Sequence, residues 1–303
     1  VASRVVKAGP ALTQYLNAAK ASEPLYGDVQ KHVLEKALRP SGRRQDVLHP
    51  SEMVKPDWCH LAAFHRLRLE AEPAERSRTT FTRENIFQEG HETHRKWQRW
   101  LTEMNRLAGD WKCWYCGDVF WNDTTPAECH SCSAPPSCLE YAEVPLNATA
   151  LRIGGKADGY APDDWALIEI KTLGLGSLRY ERPEFLERHM VETETFGNLP
   201  DLTRLWKDFR RPLPSAVRQT QLYMYLANHF EDLPAERCVF FYDFKSTQET
   251  KSFTVTYDEA FSEPLIEAAT AIVDCVKTDT PPHCNINGRA GCPACLEFKE
   301  PTK

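Results

Sequence analysis

From Thr82 to about Leu107 the chain sets Ile86, Gly90, His94, Trp97, Leu101 and Met104 at a 4-4-3-4-3 spacing, with polar residues filling most positions between. That period puts the six on one helical face, N-capped by Thr82 with Asn85 in the capping-box region. Upstream, two short helices are predicted within 9–38 and a further one over about 57–69. Pro40, Gly42, Pro50 and Pro56 mark residues 39–56 between them as a linker. Downstream, alternation and short apolar runs predict strands near 141–147, 151–160 and 165–171. Helices follow near 183–191, 200–209 and 215–229, then strands near 237–244 and 251–257 and a last helix over 258–277. Residues 109–140 interrupt the pattern with cysteines, aromatics and prolines and read as an inserted module. Helix, three strands, helices, two strands predicts an α/β core with a mixed sheet.

One predicted strand breaks the polarity rule. In "GGKADGYAPDDWALIEIKTLG", residues 154–174, the arm from Trp165 to Lys171 is apolar on both faces, yet Glu169 and Lys171 share one of them. Unpaired buried charge costs several kcal/mol. Folding the segment about Pro162–Asp163 brings Asp158 close to Glu169. Two carboxylates at one spot repel unless a cation lies between them, and oxygen donors with open positions suit Mg²⁺ or Mn²⁺. Lys171 on the same face can then polarise a water or steady an oxyanion. Asp163, beside proline at the turn, is assigned to the turn itself.

Composition adds two constraints. The 303 residues hold 11 cysteines, an odd and clustered number, and carry a net charge of -6. No apolar run reaches the length of about 18 residues that a membrane span requires, and the first twenty residues lack a signal-peptide core. A reducing, cytoplasmic setting in a bacterium or a phage-infected host is therefore expected, with clustered thiols as metal ligands. The acidic balance gives no overall nucleic-acid signal. Arg39, Arg43 and Arg44, then Arg66 and Arg68, then Arg95 and Lys96, then Lys207, Arg210 and Arg211 nevertheless form local basic clusters.

Cys113-x2-Cys116, twelve residues, then Cys129-x2-Cys132 is a zinc-ribbon pattern: two knuckles offering four thiolates to one tetrahedral ion, with Gly117 suited to a knuckle turn. His130 could replace one thiol. Trp111, Trp114, Tyr115, Phe120 and Trp121 could stack on bases, although a module this short needs aromatics for its own core. Cys284-x7-Cys292-x2-Cys295 lies near the end, one ligand short of four, and Cys59 heads a predicted helix far upstream. Cys138 reads as a loop thiol and Cys238 as a buried strand thiol.

The Gly154-Gly155-x-x-Asp158-Gly159 strand followed by Glu169-x-Lys171 resembles the PD-(D/E)xK nucleases, in particular the RecB-like exonuclease branch. Two more motifs of that branch are present: Gly90-x-x-x-His94 on the preceding helix and Gln221-x-x-x-Tyr225 on a later one. His91 is an alternative to His94, and Gln219 with Tyr223 repeats the second spacing. The resemblance implies a restriction-endonuclease-like α/β core with a mixed central sheet flanked by helices. It also implies a metal, Mn²⁺ or Mg²⁺, held by His94, Asp158, Glu169 and the carbonyl of Ile170. Lys171 would orient the attacking water, and Gln221 with Tyr225 would position Lys171 or the phosphate. The implied activity is hydrolysis of DNA phosphodiesters from free ends, on single strands and 5′→3′, in recombination, repair or replication.

Cys59, Cys284, Cys292 and Cys295 are similar to the iron–sulfur subset of these nucleases, which includes CRISPR-associated exonucleases and the AddB type. That likeness implies a [4Fe–4S] cluster. The seven-residue gap before CxxC departs from the usual order, leaving zinc as the alternative and Cys275 as a substitute ligand. The expected organisation is a helical extension over 1–56, a nuclease core over 57–108 and 141–260, the ribbon over 109–140 and the terminal cysteine region over 261–303. The inserted ribbon and the extension suggest a standalone, phage-encoded relative. A degenerate DNA-binding scaffold and an endonuclease are the rival functions.

Overall fold

The computed structural model describes residues 24–38, 43–69, 79–195, 197–288, 290–296 and 298. The first of the two helices expected within 9–38 lies outside them. The chain divides into two compact units, residues 1–43 with 75–88, and residues 44–74 with 89–303. In the smaller unit helix α1 (Pro24–Ala37) brings the Tyr26 ring edge-on to Phe81 at 5.9 Å.

In the larger unit α2 (His60–Leu69) packs through Phe64 and Leu67. The long helix α3 spans Phe81–Glu103 and is shared by both units along the chain. Its cap is Thr80 rather than Thr82: the Thr80 hydroxyl accepts the Arg83 N–H at 3.2 Å, the donor that an N-cap satisfies. Strands β1 (Gly109–Cys113), β2 (Val119–Asn122) and β3 (Leu139–Tyr141) form a three-stranded antiparallel module in the order β2-β1-β3. After it β4 (Val144–Ala148) pairs with β5 (Ile153–Ala157). The central sheet has the order β11-β10-β7-β6, with β6 at Gly159–Ala161, β7 at Ala166–Leu173, β10 at Arg237–Phe244 and β11 at Glu249–Thr256. The β7–β10 pair is parallel and the other two are antiparallel, so the sheet is mixed as expected.

Helix α4 (Pro214–Phe230) packs against β4, β5, β7 and β10, and α5 (Glu263–Lys277) against α2. The main core lies on this side of the sheet, around Leu167, Leu173, Phe240, Tyr242, Leu222 and Leu226. On the other side Trp97 of α3 stacks on Phe241 at 4.6 Å, beside Leu101, Leu107, Ile168 and Ile170. β7 is therefore buried on both faces, as its unbroken apolar run requires.

Two further expectations are corrected. Residues 44–56 do more than link: Val47, Leu48, Met53 and Val54 are buried, and Leu48 bridges to Ile153. The segment expected as helix over 183–191 ends at Glu187, and Met190–Thr193 (β8) forms a hairpin with Gly197–Pro200 (β9). Those strands are mostly exposed, so no buried alternation marks them.

Gly159 is required by its neighbours. A Cβ there would stand 2.7 Å from Leu107 Cδ2 and 3.4 Å from Ile168 Cβ. Gly159→Ala is expected to lower stability by about 1–3 kcal/mol through overpacking. Chemical denaturation would register this as an earlier midpoint at unchanged slope.

Candidate metal centre and cysteine sites

The site forms where two strands separate. β6 pairs with β7 only as far as Gly159↔Ile168, after which the chain behind Asp158 leaves to pair with β4. Asp158 takes over the vacated edge, its Oδ2 accepting the Ile170 N–H at 2.6 Å. The Ile170 carbonyl lies on that same strand edge. Asp158 Oδ1 meets His94 Nδ1 at 3.0 Å. Gly90, one turn before His94, leaves its space open toward Thr172, whose Oγ1 would stand 3.8 Å from an added Cβ. His91 is exposed and points elsewhere on the helix. Gln98, a further turn on and buried, donates to the Asp158 carbonyl at 3.0 Å.

Glu169 is 3% exposed and forms an ion pair with Lys171 on the core face of β7. Burial pushes the Glu169 carboxyl up to about 7; Lys171 and His94 oppose the shift and the Asp158 charge adds to it. For Lys171 burial works against the charged form, yet Glu169 and Asp158 outweigh it and the ammonium is held on more firmly than usual. His94 follows the same pattern: burial disfavours its cation, but the Asp158 hydrogen bond and charge leave its pKa raised.

Gln221 and Tyr225 are engaged away from Glu169 and Lys171. Gln221 is buried, but its amide donates to the Thr256 carbonyl at 2.8 Å and its oxygen accepts the Asp258 N–H at 2.9 Å. Tyr225 stacks on His229 at 4.3 Å. The repeat two residues earlier faces the charges: Gln219 Nε2 donates to Tyr223 Oη at 2.9 Å, and burial, with the Glu169 charge, raises the Tyr223 phenol. Two residues on a helix is about 200° of rotation, so only one of the pairs can look at β7.

Glu143 is the residue that sequence reasoning missed. One donor atom each from His94, Glu143 and Asp158 lie within 4.8 Å of one another. Burial first, then the Asp158 charge, push the Glu143 carboxyl up. Its only sequence signal is an acid within the strand predicted near 141–147.

The cysteines assemble into two compact groups. In the ribbon the four sulfurs of Cys113, Cys116, Cys129 and Cys132 lie within 4.8 Å of one another, with Cys113–Cys132 at 3.8 Å and Cys116–Cys129 at 3.6 Å. Backbone N–H groups of Cys116 and Tyr115 bring the Cys113 thiol down to about 7, the arrangement of a thiolate knuckle. The second group, Cys59, Cys284, Cys292 and Cys295, is equally close and buried throughout. Cys59 lies 3.8 Å from Cys284, whose sulfur receives the Asn287 N–H at 3.3 Å and whose thiol is lowered to about 7. Four sulfurs on one zinc at about 2.3 Å stand about 3.8 Å apart. Cys275 instead packs against the main core, and Cys238 is buried in β10. The His130 ring lies tilted against Phe120 at 4.0 Å and stands outside the thiol quartet. Of the ribbon aromatics Trp111 is buried, while Trp114 and Tyr115 are exposed.

The basic clusters are largely engaged. Arg66 pairs with Glu52 at 2.5 Å, Arg68 with Asp279 at 2.8 Å, Arg95 with Glu92 at 2.5 Å, and Lys96 with Asp243. Arg210 reaches Asp208 at 3.9 Å. Arg39 lies outside the described residues. No described helix is long and apolar enough to cross a membrane.

No protein-family model and no curated protein matches the chain. Among solved structures it is similar to the alkaline exonuclease LHK-Exo of Laribacter hongkongensis, at 12% identity and a TM-score of 0.42, over 78% of this chain and 91% of that one. The same enzyme in complex with dAMP matches at 11% identity and a TM-score of 0.39, with the same coverage. SSO0001 matches at 13% identity and a TM-score of 0.38, over 89% of this chain and 96% of that one.

Proposed function

We propose that this protein is a deoxyribonuclease of the PD-(D/E)xK superfamily, RecB-like branch, that digests single-stranded DNA from free ends in the 5′→3′ direction. The observation that carries the reading is the convergence of His94, Asp158 and a Glu169–Lys171 pair at the point where β6 leaves β7. His94, Asp158, Glu169 and the Ile170 carbonyl would hold Mn²⁺ or Mg²⁺. That ion, when bound, neutralises charge on the scissile phosphate. The donor set fits it: carboxylates, a carbonyl edge and one imidazole, the last favouring Mn²⁺.

Lys171 is held protonated by Glu169 and Asp158, so it serves as a hydrogen-bond donor. It orients the attacking water and steadies developing charge on a phosphate oxygen. Tyr223, supported by Gln219, takes the positioning role expected of the Gln-x-x-x-Tyr pair. Both cysteine groups are structural. Their sulfur spacing suits one tetrahedral zinc each, because thiolates capping four separate irons stand further apart. For the second group this favours zinc over the [4Fe–4S] cluster that the family resemblance suggests.

End-labelled single strands supply the test. The purified protein, incubated with Mn²⁺, is expected to release mononucleotides or short oligomers from a 5′ label first. Tyr223→Phe should slow digestion by about tenfold, the scale of one lost hydrogen bond, and Tyr225→Phe should leave it unchanged. DNA bound but undigested under every divalent ion would instead identify a scaffold, and cleavage of closed circles an endonuclease. Visible absorption near 400 nm in anaerobically purified protein would restore the iron–sulfur assignment.

Metal binding should also depend on pH in a defined direction. A proton on Glu169, with its pKa at about 7, and one on His94, raised, both compete with the ion. Raising the pH from 6 to 8 takes Glu169 from mostly protonated to mostly ionised and should tighten Mn²⁺ binding by about tenfold from this group alone. Calorimetry in buffers of different ionisation enthalpy would count the released protons. Binding that is flat across this range would contradict the site.

A further inference from the structure

The inserted ribbon is built onto the candidate metal centre through its last strand. β3 ends at Tyr141, and Glu143 follows two residues later. The ribbon's first strand holds this exit by two bonds from one residue: the Ala142 N–H donates to the Asp110 carbonyl at 2.7 Å and the Asp110 N–H donates to the Glu143 carbonyl at 2.8 Å. Tyr141 Oη donates to the Ala108 carbonyl at 2.9 Å, and its ring lies edge-on to Trp111 at 5.5 Å. Gly109 admits that phenol, since a Cβ there would stand 2.6 Å from Tyr141 Oη. Glu143 itself has a φ of 70°, in the left-handed region that non-glycine residues uncommonly occupy. The Glu143 carboxylate lies within 4.8 Å of the donor atoms of His94 and Asp158.

We propose that Glu143 is a further ligand of the divalent ion, and that the ribbon's own metal holds it in place, so that zinc in the ribbon and the ion at Asp158 reinforce each other's binding. This rests on reading the Asp158 centre as a divalent-metal site. Zinc fixes Cys113 at the end of β1, and β1 is the strand whose Asp110 grips Glu143. A ribbon that has lost its zinc loses β1–β3 pairing and with it the placement of the carboxylate. Coupling of this kind is reciprocal. The ribbon is thus a ligand-positioning device, with its exposed Trp114 and Tyr115 tip remote from that task in the β1–β3 register.

Mn²⁺ affinity, measured by calorimetry on the full chain, tests this independently of nuclease activity. Glu143→Gln should weaken Mn²⁺ binding by about 10- to 100-fold with the melting temperature and ribbon zinc retained. Cys132→Ser, which empties the ribbon, should weaken it to a similar degree. Because that change disturbs the whole module, Tyr141→Phe serves as the mild variant: zinc content stays and Mn²⁺ affinity falls severalfold. Trp114→Ala should bind Mn²⁺ like the parent. If Asp158→Asn abolishes binding while Glu143→Gln stays within twofold of the parent, the metal centre stands and Glu143 is not its ligand. If Glu143→Gln weakens binding but Cys132→Ser and Tyr141→Phe do not, the ribbon coupling is overturned. A parent chain that binds no Mn²⁺ overturns the underlying reading instead.

Discussion

Asp158→Asn is expected to abolish metal-dependent DNA digestion, with a loss of about a thousandfold or more, while the chain stays folded. The size follows from the role: a divalent ion contributes several kcal/mol of transition-state stabilisation, and each 1.4 kcal/mol is about tenfold in rate. Asp158 joins two parts of the centre, through Oδ2 to the Ile170 N–H and Oδ1 to His94. Asparagine is nearly isosteric and can keep one of these contacts, so folding is spared while the charge is lost. Glu169→Gln and Lys171→Ala should fall in the same range. Stopped-time digestion of labelled single strands, with circular dichroism beside it, separates catalytic loss from unfolding. Full activity in the Asp158→Asn protein would end the site assignment.

The second large effect is on stability. Removing the metal from Cys59, Cys284, Cys292 and Cys295, or replacing Cys292 by Ala, is expected to lower the melting temperature by about 10 °C or more. Structural zinc contributes about 10–16 kcal/mol in isolated small modules. Even a third of that shifts the midpoint of a domain this size by about 10 °C. The four sulfurs are buried and tie the head of α2 to the tail, where Asn285 also bonds the Trp58 carbonyl at 3.0 Å and receives the His60 N–H at 2.8 Å. Loss should begin locally, with residues 284–296 becoming cleavable by protease before the sheet melts. Calorimetry with and without a chelator would show it. A melting temperature unmoved by Cys292→Ala would mean that the thiols hold nothing.

The charged strand was readable in the sequence because a period of two and an apolar run are local properties: Glu169 and Lys171 had to share a buried face. Gly90 and His94 were readable for the same reason, on a period of 3.6. The phase of α4 was not. Gln219–Tyr223 and Gln221–Tyr225 have identical spacing, and only the packing of the helix, with Tyr223 toward Gly155 where an added Cβ would stand 3.0 Å from its ring, tells their surroundings apart. Glu143 was hidden more deeply, since its placement depends on pairing across the ribbon. The basic clusters misled in a further way. Arg66, Arg68 and Lys96 look free along the chain, yet their acids, Glu52, Asp279 and Asp243, arrive from other elements. The hairpin at 190–200 left no signal because little of it is buried.

The two thiol groups differ most in the time at which they can close. Cys113 and Cys132 are separated by 19 positions, Cys59 and Cys284 by 225. Loop-closure entropy alone makes the longer circuit about 2 kcal/mol harder to close in an unstructured chain. On a ribosome, which releases the chain from its N-terminal end, the ribbon thiols can gather, and on the proposed zinc assignment take their ion, while most of the central sheet is still unmade. Cys59 must wait, as a bare thiol, until nearly the whole larger unit has emerged. Metal shortage during synthesis would therefore strike the two groups unequally, yielding molecules with a filled ribbon and an open seam between α2 and the tail.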